Sequence, residues 1–296
     1  KLSGLLPLIT SNGQTQVVQK LNVKGQGFSP KFALAWQATD DVLVYGSASK
    51  GFQYGGVNAI PVPTPGSTAP LTYASSSLWA FESGVRSDWL DKTLTADITA
   101  YYQIWSNAQV AQITPPAETF VANVGSVGVK GMELSLQYLF PIDGLSLEVN
   151  GSLLSSKTTK PFQDGDGNTI PAGSTMANAP VFQSAATLGY AKAFAEVWQT
   201  NSGLSYTHTS SSFGNIQHTG VLDARDMFNL NFKLSRPDLS FAPSVSVIVN
   251  NVTDQRKVVS SIAPRDAGTA PGSTEAFTVG YTRPRTLILN LAMEFH

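Results

Sequence analysis

The sequence predicts an all-β fold: an antiparallel transmembrane β-barrel segment with short turns at one end and long loops at the other. Three observations carry this prediction. Apolar and polar residues alternate along many segments, which fits strands with one face toward lipid and the other toward water. Only 13% of the 296 residues are charged, about half the usual share for a soluble protein. Short polar turns alternate with much longer Gly- and Pro-rich stretches.

The clearest alternation lies at residues 281–295. Its apolar side chains share one face of an extended strand, and polar side chains fill the other face, with Ile288 as the exception. The apolar set is Leu287, Leu289, Leu291, Met293 and Phe295, and the polar set is Thr286, Asn290 and Glu294. Helices repeat their apolar positions every three to four residues, so this period of two predicts a strand.

The same pattern predicts about eleven strands along the chain. Residues 1 to about 27 lack sustained alternation, and we expect an irregular loop there. The strands are expected at 28–38, 42–52, 78–90, 93–105, 120–140, 145–153, 182–194, 197–209, 226–235, 240–252 and 281–295. Long loops are expected at 53–76, around Pro115 and Pro116, and at 157–180, 210–220 and 253–277. The strands are long enough to cross the hydrocarbon of a membrane when tilted.

An odd number of strands implies that further strands are needed to complete the barrel. A chain that begins in an outer loop and ends after a strand would start outside the cell and finish in the periplasm. Single-chain bacterial barrels have even strand numbers, and an open sheet would expose unpaired edges to lipid. We therefore expect another segment to supply the remaining strands of the barrel. Residues 1–10 do not resemble an export signal, so we also expect a preceding segment.

Composition excludes several classes of function. The formal net charge is −1, which argues against binding of nucleic acid through a basic surface. The chain has no cysteine, so disulfides, thiolate chemistry and cysteine-bound metals are excluded. It has no run of eighteen apolar residues, so a transmembrane helix is not expected.

Two motifs hint at metal binding, and both are weak. Residues 164–168 open like a calcium loop, but Thr169 stands where the EF-hand needs glycine and Thr175 where it needs glutamate. We interpret this segment as a hydrated turn. His208 and His218 lie in or beside one outer loop without a supporting pattern, and we expect them to be exposed. No metal site or cofactor is predicted.

Catalysis is not predicted either. By alternation, Asp97, Glu133, Glu148 and Lys233 face the lumen, and such polar positions are required by any water-filled barrel. Serines such as Ser152 and Ser184 lack a Gly-x-Ser-x-Gly elbow and a His/Asp partner. Aromatic residues near predicted strand ends are expected to form the membrane-boundary girdle: Trp36, Trp89, Tyr102, Tyr138, Phe140 and Trp198.

Six short segments, scattered in order along the chain, resemble the signatures of one protein family. They are Phe28-Ser29-Pro30-Lys31; Ser49-Lys50-Gly51-Phe52 with Gly55-Gly56-Val57-Asn58; Glu82-x-Gly84-x-Arg86 with Trp89; Asn123-Val124-Gly125 with Gly131-x-Glu133; Asn251-Val252-Thr253-Asp254; and Arg283-Pro284-Arg285-Thr286. Together they are similar to the C-terminal barrel half of a TonB-dependent outer-membrane receptor. The resemblance implies that residues 1–296 form the C-terminal part of a 22-stranded barrel. The chain departs from that family in carrying His296 after Phe295, and no part of it resembles the plug domain or the coupling box.

The resemblance implies a receptor of the bacterial outer membrane that imports a scarce nutrient, with a ferric siderophore as the leading ligand. Its implied partners are the remaining barrel strands, a plug on another segment or chain, the TonB complex acting through the plug, and the lipid bilayer. Import of a glycan or cobalamin remains open. So do a passive porin-like channel, an outer-membrane enzyme and a soluble β-sandwich binding module.

Residue type and loop position suggest which side chains contact the ligand. Aromatic and arginine side chains would suit an anionic or catecholate-like iron chelate. The predicted contacts lie in the long loops: Gln53, Tyr54, Asn58, Tyr73, Arg265 and Asp266.

Overall fold

The computed structural model describes residues 2–9, 15–23, 27–58, 69–114, 118–164, 167–195, 197–218, 220–262 and 278–295. These residues form an all-β structure, dominated by one sheet of eleven antiparallel strands. Within these ranges, no helix has the length and apolar character needed to span a membrane.

The eleven strands of the main sheet follow one another in chain order, and each is hydrogen-bonded to the strands next to it in the chain. We number them β1 Lys31–Thr39, β2 Val42–Gln53, β3 Ser76–Trp89, β4 Leu94–Ser106, β5 Ser126–Leu139, β6 Leu145–Thr158, β7 Phe182–Phe194, β8 Trp198–Thr209, β9 Arg225–Ser235, β10 Ser244–Asn250 and β11 Thr286–Ala292. The predicted antiparallel barrel segment of eleven strands is confirmed. The sheet is not closed, and β1 and β11 are its edges.

The register divides the sheet into two faces, because directly paired residues point to the same side. One row joins Val44, Val85, Ile98 and Leu134 across β2 to β5. We call this side the outer face. Most of its side chains are apolar, and many of them are exposed, such as Leu289, which is 64% exposed. The opposite side, which carries tyrosine, carboxylate and hydroxyl groups, is the inner face.

Little of this sheet is covered by a hydrophobic core. The buried apolar cluster of Ala108, Val124 and Val127 lies at the long-loop end, packed against Trp105 and Phe162. A water-soluble β-sandwich would instead bury apolar residues along the whole length of its strands. An exposed apolar outer face is what a bilayer-facing sheet requires.

Two glycines of the inner face make room for tyrosine rings from neighbouring strands. Gly84 of β3 pairs directly with Tyr45 of β2, and a Cβ atom at Gly84 would collide with the Tyr45 ring. Gly131 of β5 stands in the same relation to Tyr101 of β4. Rings laid over glycines in this way pin the register of a sheet.

The aromatic residues predicted for the girdle mostly lie on the outer face near the short turns. Trp36 and Trp89 are exposed beside their turns. Tyr138 and Phe140 form an edge-to-face pair with centroids 4.6 Å apart. The guanidinium of Arg236 lies over the Trp198 ring, with Arg236 Cζ 5.2 Å from the ring centroid. The sixth member, Tyr102, lies toward the other end of its strand, close to Lys130 in the register.

Two strand predictions were wrong. The segment expected to be irregular contains a hairpin of Leu2–Ile9 and Thr15–Val23, whose register shifts beside Pro7. The single strand expected at 120–140 is divided. Its first part pairs, as Glu118–Asn123, with Gln109–Thr114, and the left-handed Gly125 separates it from β5. Regular alternation detects sheet strands, but it misses strands that pair only within a loop.

Other predicted loops also contain short strand pairs, and several strand ends differ from the prediction. The pairs are Gly56–Val57 with Thr72–Tyr73, Phe162–Gln163 with Thr169–Ile170, Ser212–Phe213 with Val221–Leu222, and Val258–Ile262 with Thr278–Tyr281. Strand β6 continues to Thr158, whereas β10 and β11 are shorter than expected. Local pairing of this kind orders the described parts of these loops.

Candidate ligand-binding site

All long loops follow the same ends of the strands, so they gather at one end of the sheet. Asn58 joins the first two of these loops and is only 5% exposed. Its Nδ2 donates to the carbonyl oxygens of Pro70 at 2.7 Å and Val121 at 2.8 Å. Its Oδ1 accepts from the Val121 amide at 2.8 Å. The Asn58 side chain therefore clamps residues 54–58 and 69–75 to the strand pair 109–114 and 118–123.

Two more amide side chains strengthen this clamp. Asn123 Oδ1 accepts from the Ala74 amide at 2.7 Å, and its Nδ2 donates to the Ala74 and Asn107 carbonyls. Gln109 Nε2 donates to the carbonyls of Tyr54 at 3.0 Å and Ala74 at 2.9 Å. The backbone on which Tyr54 stands is thus held from the neighbouring loop.

A second group of loops is also joined side by side. His218 stacks on Phe213, with ring centroids 3.9 Å apart, and its Nε2 lies 2.9 Å from the Thr175 carbonyl oxygen. Gln217 Nε2 donates to Asp164 at 3.0 Å. The Asp223 carboxylate accepts from the Val258 amide at 2.8 Å. These contacts connect loops 159–181, 210–224 and 251–285.

Asn251 anchors the last loop and is 3% exposed. Its Nδ2 donates to the carbonyls of Gln255 and Arg283, at 3.0 and 2.8 Å, and its Oδ1 accepts from the Gln255 amide. Asp254 accepts from the Arg285 amide at 2.8 Å. Four polar residues of the sequence signatures therefore hold the ends of the loops in place through hydrogen bonds, since a buried polar group must find a partner. They are Asn58, Asn123, Asn251 and Asp254.

The structure brings four of the six predicted ligand contacts together in one loop. Gln53 ends β2 on the inner face and is exposed. Tyr54 is 54% exposed and meets Phe52 edge to face at 4.9 Å. Tyr73 pairs with Gly56 and covers it with its ring. Asn58 is committed to the clamp described above. The remaining two, Arg265 and Asp266, lie outside the described residues.

Below the loops, the inner face forms an open cavity of about 750 Å³. Tyr45 Oη donates to Asp97 Oδ1 at 2.8 Å and lies 2.5 Å from Thr99 Oγ1, so its ring crosses β3 to reach β4. Further lining groups are hydroxyls, amides and charges: Arg86, Glu133, Gln137, Asn150, Ser152, Gln183 and Thr207. The lining can bind a polar solute or a polar protein surface.

The charges of the inner face are mostly negative on β3 to β6. Glu82, Glu133 and Glu148 are exposed there, Asp97 is half-buried, and Arg86 is exposed among them. The register places Glu133 directly opposite Ser152 and Thr99, with no cation between them. The face would attract a positively charged surface.

The weak metal motifs do not converge on a site. Asp164 accepts from the Asn168 amide at 2.9 Å, and residues 165 and 166 lie outside the described ranges. His208 belongs to β8 and is not an exposed loop residue as expected: its Nδ1 lies 2.8 Å from Asp226 Oδ1. In the part of the chain that the structure describes, no three His, Asp or Glu side chains gather around a common point.

Sequence reasoning missed the residues that shape the loops and the cavity. The position of Tyr45 on the inner face could have been predicted, because Val42 and Val44 mark the outer face and Tyr45 alternates with them along the strand. Gln109 could not, because its role depends on a hairpin within a loop that alternation does not reveal.

Comparison with known proteins supports this architecture. The family described as "TonB dependent receptor-like, beta-barrel" matches residues 9–252. The ferric yersiniabactin uptake receptor FyuA from Yersinia pestis is similar in structure, with a TM-score of 0.66 at 18% identity over 90% of this chain and 37% of that receptor. The siderophore receptor PiuA from Acinetobacter baumannii gives 0.63 at 17% identity, over 89% and 35%.

A third similar structure is BauA, the ferric preacinetobactin receptor from Acinetobacter baumannii, with a TM-score of 0.63 at 17% identity over 90% of this chain and 36% of that receptor. The chain thus spans little more than a third of the length of these receptors. Because the family match covers most of the sequence and the sheet reproduces the fold, the chain belongs to the β-barrel family of TonB-dependent receptors.

Proposed function

We propose that this chain forms about half of the barrel of an outer-membrane receptor that takes up a ferric siderophore by energy-coupled transport. The observation that supports this proposal is that the loops above the polar cavity are joined to one another by side-chain hydrogen bonds. Asn58, Gln109 and Asn123 hold the backbone around Tyr54 in place. A binding surface that is already ordered loses less conformational entropy when the ligand binds.

In this proposal Tyr54 and Gln53 contact the ligand directly, whereas Asn58 positions them. The exposed phenol ring of Tyr54 can stack on an aromatic chelating group, and the Gln53 amide can donate to its oxygen atoms. Tyr73 supports the same loop by covering Gly56. Arg265 and Asp266 remain proposed contacts from the last loop. The three similar receptors, all named for iron-siderophore or siderophore uptake, support this ligand class.

The inner face has a separate proposed role as the seat of the plug. The carboxylates of Glu82, Glu133 and Glu148 outnumber the nearby Arg86 guanidinium. A plug surface carrying arginine or lysine would be complementary to this face. The plug would then connect the ligand site to the TonB complex, which supplies the energy.

The test uses the complete receptor in cells grown under iron limitation. A deletion strain is complemented with the unaltered gene, with Tyr54→Ala or with Ile142→Ala, and uptake of radioactive iron is measured with a panel of ferric siderophores. Ile142 is a matched control, since it is also exposed but lies in a short turn at the opposite end. We expect Tyr54→Ala to weaken uptake about tenfold, which corresponds to loss of one good aromatic contact, and Ile142→Ala to have no effect.

Normal iron uptake by the deletion strain with every siderophore would contradict the proposal. Binding of cobalamin or a glycan by the purified receptor would then identify the alternative ligand. Uptake that persists without TonB would instead indicate a passive channel.

A further inference from the structure

The charged groups of the inner face are divided between two parts of the sheet. In the described strands, all carboxylates of this face lie on β3 to β6, where Arg86 is the only cation. These carboxylates are Glu82, Asp88, Asp97, Glu133 and Glu148. The inner faces of β7 to β11 carry no carboxylate, and their cations are Arg225 and Lys233 of β9. We call the inner face of β3 to β6 the acidic wall and that of β7 to β11 the basic wall.

A dissolved ion can distinguish these two walls. Glu133 of β5 and Lys233 of β9 are four strands apart, and with strands about 4.8 Å apart this gives a separation of roughly 19 Å along the sheet. The Debye length at physiological ionic strength is about 8 Å, so each wall acts largely by itself. The acidic wall therefore repels an anion in the lumen, and the basic wall attracts it.

Lys233 lies at the short-turn end of the basic wall. It is exposed, and it stands two residues before the end of β9. It pairs directly with Asn201 of β8 and Ser246 of β10, so its neighbours on both sides are uncharged.

No described carboxylate forms an ion pair with Lys233. Two acidic residues of the short turns are already paired with other cations. Asp143 lies 3.6 Å from Lys192, and Asp238 lies 2.7 Å from Arg236. The Lys233 ammonium group therefore keeps its three N–H donors available for another anion.

The inner face around Lys233 forms a second cleft, of about 400 Å³. On β7 its wall consists of the small side chains of Ala191 and Ala193, and on β8 it presents the exposed amides of Gln199 and Asn201. A cleft of this volume can hold a small molecule. Because ammonium and amide N–H groups both donate to anionic oxygen atoms, the cleft can bind several such atoms at once.

Strand β9 connects this cleft to the long-loop end of the sheet. Arg225 begins the strand on the inner face, and the residues between Arg225 and Lys233 on that face are uncharged. One of them, Asn231, lies over Gly203 of β8, where a Cβ atom would come within 2.6 Å of the Asn231 Oδ1. An anion moving along β9 therefore meets a cation at each end and no carboxylate between them.

We propose that Lys233, together with the amides of Asn201 and Gln199, forms an anion site at the short-turn end of the lumen. It binds the anionic oxygen atoms of a ferric chelate on its way out of the barrel. The identity of this solute rests on the proposed function. A plug held against the acidic wall would leave the basic wall open to the chelate. A chelate without net charge would gain little from Lys233.

The first experiment measures how far each lysine of the complete purified receptor is protected from methylation in detergent micelles. Formaldehyde and a borane reductant methylate the lysines, and mass spectrometry of the peptides gives the rate at each position. The probes are the anionic complex of Fe³⁺ with three catecholates, the neutral complex with three acetohydroxamates, and sodium sulfate at the ionic strength of the first. Lys192 is the control, since it lies at the same end of the sheet but on the outer face.

We expect the catecholate complex to slow methylation of Lys233 about tenfold, the lower end of the enrichment that a focused field gives a counter-ion. The acetohydroxamate complex and sodium sulfate should leave the rate at Lys233 unchanged. The rate at Lys192 should be the same with all three probes.

The second experiment compares Lys233→Glu, Lys233→Arg and the control Lys192→Gln in cells. Surface binding and the initial rate of uptake are measured with the anionic ferric siderophores that the unaltered receptor imports. We expect Lys233→Glu to take them up about tenfold more slowly with unchanged surface affinity, because the site lies at the opposite end from the loops. Lys233→Arg and Lys192→Gln should behave as the unaltered receptor does. The mobility shift of unheated barrels in gels checks folding.

A Lys233 that resists methylation without any probe would overturn the inference, because an acidic group of the plug would then be its partner. Equal protection by the neutral complex or by sulfate would do the same, as would unaltered uptake by Lys233→Glu. If the unaltered receptor imports no ferric siderophore, the proposed function fails, and the methylation rates still decide whether the anion site exists.

Discussion

Gly84 should be intolerant of even one added methyl group. A Cβ atom built there would overlap Cζ and Oη of Tyr45 and would lie 2.9 Å from the Ile98 carbonyl oxygen. In Gly84→Ala the tyrosine ring must therefore leave, and its hydrogen bonds to Asp97 and Thr99 are lost.

The cost follows from those contacts. A hydrogen bond to a carboxylate contributes about 1.5–3 kcal/mol and one to a hydroxyl about 0.5–1.5 kcal/mol. Water in the cavity replaces part of both, and alanine restricts the unfolded chain by about 0.4–1 kcal/mol in favour of folding. We expect the free energy of unfolding to fall by about 2 kcal/mol. Urea denaturation of the complete receptor in micelles measures it.

Gly51→Ala is the matched control, since Gly51 lies on the same face in β2 and a Cβ there would meet nothing within 4 Å. Its effect should stay within about 0.5 kcal/mol. A double-mutant cycle with Tyr45→Ala isolates the ring. If Gly84→Ala costs as much in the Tyr45→Ala background as in the unaltered receptor, the collision with the ring is not the cause and the reasoning is wrong.

Three further predictions concern the loops, the outer face and one turn. Asn58→Ala should loosen the first loop by about 2 kcal/mol, because it leaves the Val121 amide unpaired; limited proteolysis should then cut residues 54–75 faster, and unchanged cleavage would argue against the clamp. Leu289→Arg should lower the free energy of unfolding by about 2–4 kcal/mol in lipid, whereas Asn290→Arg on the inner face should have little effect; equal effects would contradict the assignment of the faces. The Arg236 guanidinium, 2.7 Å from Asp238, lowers the pKa of that carboxyl, so the pair should stabilise the turn at neutral pH and lose this effect as the pH falls through the lowered pKa; stability curves of Asp238→Asn and the unaltered receptor should converge in acid, and parallel curves would exclude the pair as the cause.

Much of the sheet could be predicted from sequence because membrane strands follow a simple rule. One face must be apolar for lipid and the other polar for water, so Leu287, Leu289 and Leu291 mark β11 without any tertiary information. The start of β7 at Phe182 and its end at Phe194 were predicted to the residue.

The loops followed no such rule. Their short hairpins are held by backbone pairing and by buried amides such as Asn123, which satisfy hydrogen bonds rather than an apolar pattern. For the same reason Asn58 was predicted as a ligand contact, although its amide is engaged inside the protein. Type and position of a polar loop residue do not reveal whether its hydrogen bonds are already formed.

The directions of the two edge strands restrict what can complete the ring. Strands β1 and β11 both run from the long loops toward the short turns. A second copy of this sheet, inserted with the same orientation, would place edge strands of the same direction beside β1 and β11. Both junctions between the two copies would then be parallel strand pairs. Closure by antiparallel pairing instead requires an odd number of additional strands. The first and last of these strands must both run from the short turns toward the long loops. The completing segment must therefore be the directional opposite of this one, and two identical halves cannot substitute for it.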